Sequence, residues 1–69
     1  MNIVFTLHAK EQIEERRILK VWVEETIKSP DQIVHDNHKC YVVKKLNGKI
    51  LKVVYTKEKY IKVITAYFI

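Results

Sequence analysis

One histidine and two arginines bracket a short stretch, Thr6-Leu7-His8-Ala9-Lys10-Glu11-Gln12-Ile13-Glu14-Glu15-Arg16-Arg17-Ile18. His8, Gln12 and Arg16 fall at i, i+4 and i+8. At about 100° per residue this makes one helical stripe about 80° wide. A histidine exchanges protons near neutral pH, and an arginine holds a phosphate through two parallel hydrogen bonds. With Arg17 beside Arg16, and with a tyrosine and lysines on a neighbouring strand, the parts match RNA cleavage without a metal. That chemistry needs a base for the 2′-hydroxyl, an acid for the leaving oxygen and cations for the developing charge. The same residues also suit plain structural work. A histidine in a first helical turn can simply hydrogen-bond, and arginines at a helix end answer the negative pole of its dipole.

These side chains need elements to position them. Asn2 to Phe5 reads as a short strand, and Thr6 is a good N-cap for a helix from Leu7 to about Arg16. Ala9 and Ile13 form the core-facing stripe of that helix, so His8, Gln12 and Arg16 belong at its edge. Leu19, Trp22, Val23, Thr26 and Ile27 mark a second helix by their 3.6-residue spacing. Pro30 ends it, because the residue before a proline is pushed out of the α region. Trp22 is expected as a core anchor under the sheet. Gln32 to His35 reads as a lead-in to a strand over His38 to Leu46. Asn47-Gly48 is a two-residue type I′ hairpin signal, and Lys49 to Thr56 returns. Lys57-Glu58-Lys59 is a second tight connection, before a last strand from Tyr60 to Ile69.

The expected fold is therefore α+β, in the order β-α-α-β-β-β. Two N-terminal helices pack on one face of a four-stranded, mainly antiparallel sheet. On the last strand Ile64, Ala66 and Phe68 are expected toward the helices, with Thr65 and Tyr67 outward. An exposed last strand would allow two chains to pair as a homodimer.

Length and composition bound the rest. Sixty-nine residues allow one domain, 1–69, and 48% hydrophobic content supports a packed core. The net charge of +5 is unevenly placed. Residues 1–35 hold five basic and six acidic groups, whereas residues 36–69 hold eight lysines and two acids. A positive C-terminal half points to an anionic partner, with nucleic acid first; the alternative is lysines that solubilise and blunt sheet edges. Cys40 is the single cysteine, which excludes an internal disulfide and fits a reducing cytoplasm. The apolar runs are too short for a membrane span, and no secretory h-region is visible. His35, His38 and Cys40 lie close in sequence but lack the fourth ligand of a tetrahedral site. No glycine-rich phosphate loop is present, and no metal or cofactor is expected.

Several short motifs carry a family resemblance. Thr6, His8 and Ala9, then Ile13, Arg16 and Ile18, then Pro30-Asp31, Val53-Val54-Tyr55 and Ile64-Thr65-Ala66-Tyr67 resemble the ordered signature of a family of small uncharacterised prokaryotic proteins. That family is similar in topology to the RelE/ParE bacterial toxins. The resemblance implies a cytoplasmic, toxin-like endoribonuclease, working on free or ribosome-bound RNA and held by an antitoxin. Carried over by position, His8, Arg16 and Tyr67 are the expected catalytic residues. Thr65, Gln12, Arg17, Lys44, Lys45 and Lys52 are expected to bind substrate. Three positions depart from the family. Gln12 stands where arginine is common, Arg17 where glycine is usual, and Leu19 where a serine or threonine caps the second helix. The alternative function is a non-catalytic module that binds nucleic acid or protein through the basic sheet.

Overall fold

The computed structural model describes residues 2–69. The order of elements is β1 (Ile3–Phe5), α1 (Leu7–Glu15), α2 (Lys20–Lys28), β2 (Gln32–Asp36), β3 (Lys39–Leu46), β4 (Lys49–Lys57) and β5 (Ile61–Phe68). The chain leaves β1, and two helices carry it across one face of the sheet to the far edge. A four-strand meander then walks back, giving the strand order β1-β5-β4-β3-β2. The meander pairs are antiparallel, and β5 meets β1 in parallel.

This corrects the expected sheet. It has five strands and is mixed, rather than four and mainly antiparallel. Gln32–Asp36 is a strand of its own, in register with β3 from Gln32↔Val43 to Asp36↔Lys39. Asn37 closes that hairpin with φ of 56°, a left-handed conformation that asparagine tolerates. All five β2 residues are exposed, so burial imposes no alternation on them. The outer strands of the sheet are β1 and β2. The last strand lies between β1 and β4 only from Ile61 to Val63, and beyond Val63 it is paired with β4 alone.

Local chemistry fixes the other boundaries. Thr6 caps α1 by accepting a hydrogen bond from the Ala9 N–H at 3.0 Å. Leu19 caps α2 with no side-chain bond. Asn47 and Gly48 take φ of 50° and 81°, as a type I′ turn requires. The α1 C-terminus closes as a Schellman turn. Ile18 N–H donates to Ile13 C=O (2.8 Å), Arg17 N–H donates to Glu14 C=O (3.2 Å), and Arg17 takes φ of 56°. Ile13 and Ile18, the apolar pair of that motif, are both buried.

The core lies between the helices and one face of the sheet. Ala9, Ile13, Val23 and Ile27 meet Val42, Leu51, Val53, Val63 and Ala66. Trp22 packs against this core and against the Phe68 ring, but it is half-buried rather than a fully buried anchor. Cys40 and Tyr55, directly paired across β3 and β4, are buried on the same face. Burial pushes the Tyr55 phenol up to about 12, and the neighbouring Cys40 adds to the rise. The unfolded chain gives up that proton near its ordinary value of about 10. The contribution of Tyr55 to stability is therefore complete below pH 10 and is lost as pH rises toward 12. Melting temperature should fall more steeply across this window for the parent than for Tyr55→Phe. Parallel slopes for the two proteins would show that Tyr55 carries no such linkage.

Candidate nucleic-acid interface

Two surfaces concentrate the polar chemistry. The first is the seam between α1 and β5. The β4–β5 register slips at Val54/Tyr55, so that Val54 opposes Thr65 while Tyr55 opposes Val63 and Ile64 is extra. Such a bulge re-aims side chains. Here the Thr65 hydroxyl reaches α1 and donates to Gln12 Oε1. That bond orients the Gln12 amide, whose nitrogen meets His8 Nε2 at 2.8 Å. The amide donates, so Nε2 accepts and the imidazole proton is assigned to Nδ1. Beside this row, Arg16 Nη1 donates to the Ala66 carbonyl at 2.9 Å. β1 pairs with β5 only from Ile61 to Val63, and Arg16 satisfies backbone beyond it.

The structure thus joins His8, Gln12 and Thr65 into one hydrogen-bonded row, with Arg16 alongside. It does not bring Tyr67 to them. Tyr67 lies on the open face of the sheet, paired directly with Lys52. Thr65 and Tyr67, expected on one side of the last strand, share it by register, Thr65 opposite Val54 and Tyr67 opposite Lys52, but only Thr65 is bonded to Gln12. The expected substrate lysines also separate. Lys44 is on the helix side of the sheet, and its Nζ donates to the Ser29 carbonyl at the end of α2 (2.8 Å). Lys45 and Lys52 are on the open face. Arg17 holds the α1 Schellman turn.

The open face is the second surface. Directly paired residues share a face, so the registers place Lys39, Tyr41, Val43 and Lys45 of β3 with Ile50, Lys52, Val54 and Thr56 of β4. Lys62 and Tyr67 of β5 and Val4 of β1 continue it. Lys52 lies at the centre. It is opposite Tyr67, and its Nζ stands 5.6 Å from the centre of the Tyr41 ring, a cation–π contact. Val54 is sunk to 8% exposure between its register partners Tyr41 and Thr65. Four lysines share this face with Asp36 at the β2 corner, and Asp31 and Glu58 stand at its rim. The glutamates Glu11, Glu14, Glu15, Glu24 and Glu25 are all on the helices, across the sheet. The charge asymmetry read along the sequence is therefore also an asymmetry between two faces.

Tyr41, Lys39 and Lys62 were not singled out from the sequence. A period-two reading of Lys39-Tyr41-Val43-Lys45 would have found the first two. Lys62 needed the bulge, which no local pattern announces.

Fold and surface together define a small α+β domain with helices on one side of a mixed sheet and a basic, tyrosine-bearing face on the other. Residues 5–68 match a family described as a domain of unknown function (DUF4258), and the chain belongs to that family. No curated protein and no solved structure matches the chain. Among the described residues no helix is long and apolar enough to cross a membrane.

Proposed function

We propose that this domain binds single-stranded RNA on the open face of its sheet. The carrying observation is the Tyr41–Lys52–Tyr67 group, flanked by Lys39, Lys45 and Lys62, with the acids Asp31, Asp36 and Glu58 confined to the rim. Tyrosine rings offer stacking platforms to unpaired bases, and lysines track the phosphates. A duplex presents no splayed bases to a flat sheet, which favours a single strand.

A second reading is a RelE/ParE-like endoribonuclease with an antitoxin partner. It is favoured by the continuous Thr65–Gln12–His8 row, which fixes an exposed imidazole at one end. Against it, His8 Nε2 already accepts from Gln12, and Arg16 already donates to Ala66. A base role for His8 requires Gln12 to let go first.

One experiment separates the readings. Affinity for a fluorescent single-stranded RNA is measured across a salt series, and the same samples are run on a gel for cleavage. The parent should bind with a salt slope of about −2 to −3, at about 0.7 per lysine–phosphate contact. Lys45→Glu/Lys52→Glu should flatten that slope by about 1.4, and Tyr67→Ala should weaken binding about fivefold or more. His8→Ala should leave binding unchanged. Metal-independent cleavage that His8→Ala abolishes would establish the nuclease. RNA affinity indifferent to Lys52 and Tyr67 would overturn the open-face site.

A further inference from the structure

A cleft of about 420 Å³ opens on the helix side of the molecule, away from the RNA face proposed above. Four segments build it: the α1 Schellman turn, α2, the β3–β4 hairpin and the end of β5. Its volume falls in the range of small-ligand sites. Its lining combines two chemistries. Arg16, Arg17 and Lys49 supply three cations, and no acidic side chain lines the cleft. Trp22 and Phe68 supply an aromatic wall, their rings edge-to-face with centres 6.2 Å apart. Lys49 Nζ stands 5.4 Å from the Phe68 ring centre, so charge and ring are adjacent rather than at opposite ends.

Two features show that this is more than a dent between elements. Arg16 is already oriented, because one of its five donors holds the Ala66 carbonyl at 2.9 Å and the rest of the guanidinium is left for another acceptor. Arg17 occupies a left-handed backbone position, φ 56°, where glycine is the favoured residue. An arginine kept at such a position, on the rim of a cationic cleft, places a guanidinium where local backbone preference would place none.

We propose that the cleft binds a nucleoside monophosphate moiety, with its base against Trp22 and Phe68 and its phosphate held by Arg16, Arg17 and Lys49. A planar ring joined to a phosphate matches the two chemistries at their spacing. A bare anion would leave the aromatic wall unused, and a neutral ring would leave three cations unanswered. The moiety is either a free nucleotide or the phosphorylated end of an RNA strand. The proposal does not depend on RNA binding by the open face.

Trp22 is the single tryptophan of the chain, so its indole N–H resonance reports this cleft alone. Titration of the isotopically labelled protein with uridine and adenosine monophosphates should shift that resonance saturably, with Kd of roughly 10 µM to 1 mM for a ligand of this size. The unphosphorylated nucleosides and inorganic phosphate should each bind at least about tenfold more weakly. Arg17→Gly should reduce nucleotide affinity about tenfold while the remaining resonances keep their positions, because glycine suits the same turn. Lys49→Gln should give a similar loss, without touching the helix end. A short RNA with a 5′-phosphate, compared with its 5′-hydroxyl form, identifies the source. Tighter binding by the phosphorylated strand than by the mononucleotide assigns the cleft to a strand end, and weaker binding assigns it to a free nucleotide. An indole resonance that ignores the nucleotides, or nucleotide affinity unchanged in both variants, overturns the proposal. So does inorganic phosphate binding as tightly as the nucleotides. Failure here leaves Lys52 and Tyr67 to decide RNA binding separately.

Discussion

Leu51→Ala should lower the melting temperature by about 12–24 °C. Leu51 is fully buried on β4, opposite Lys44 and Phe68 and beneath the helices. Truncating a buried leucine removes its transfer free energy and leaves a cavity, together about 2–5 kcal/mol. A chain of this length has roughly 3–10 kcal/mol of stability in all, at about 0.05–0.15 kcal/mol per residue. Taking about 3 kcal/mol for Leu51, and about 4–8 °C per kcal/mol in so small a domain, gives the stated range. Few residues stand ready to fill the gap, since the neighbouring core is built from short side chains such as Val42, Val53, Val63 and Ala66. Leu19→Ala is the matched control. Leu19 is 52% exposed, so its truncation should change stability by only about 0.5 kcal/mol. Thermal melts followed by far-UV circular dichroism decide the matter. A Leu51→Ala melt within a few degrees of the parent would mean that β4 is not the centre of the core.

The same contrast explains what the sequence could reveal. Elements that bury one face write a period into the chain. The α1 stripe of Ala9 and Ile13, the α2 stripe ending at Ile27, and the Asn47-Gly48 turn were all legible, because burial or positive φ restricts the residue types there. β2 was not legible as a strand. Its partner is β3 on one side and nothing on the other, and neither of its faces is covered. β1 was legible as a strand, but its parallel place beside β5 was not. Three residues carry too little pattern to fix a neighbour fifty-eight positions away, as in Ile3↔Ile61.

The functional residues divide in the same way. The His8–Gln12–Arg16 stripe follows from helical spacing alone. Its meeting with Thr65, fifty-three positions from Gln12, is a tertiary contact that no local residue preference dictates. The cleft is more distant still from sequence reasoning. Arg16 and Lys49 come from different elements, and their convergence with Trp22 and Phe68 is a property of the packed fold. One sequence signal did point there. Arg17 stands where a helix end favours glycine, and a residue that opposes local preference marks a place where something other than folding has a say.

That signal yields the second large effect. Arg17→Gly should stabilise the domain while it weakens the cleft. Arg17 takes φ of 56°, and a non-glycine residue there carries a penalty of about 1–2 kcal/mol. Glycine removes the penalty but gives the unfolded chain more freedom, which returns about 0.4–1 kcal/mol. The Schellman hydrogen bonds are made by backbone N–H groups, and the apolar pair Ile13–Ile18 is untouched, so neither is lost. The net gain is about 0.5–1 kcal/mol, a rise of roughly 2–8 °C in melting temperature. Arg17→Ala separates the two contributions, because it removes the guanidinium and keeps the backbone penalty. It should melt near the parent and bind nucleotide as weakly as Arg17→Gly. If Arg17→Gly melts lower than the parent, the side chain contributes more to folding than the turn geometry implies, and the strain argument fails. If it melts higher and binds more weakly, stability and ligand binding oppose each other at one residue, which is the pattern expected when a position is held for function.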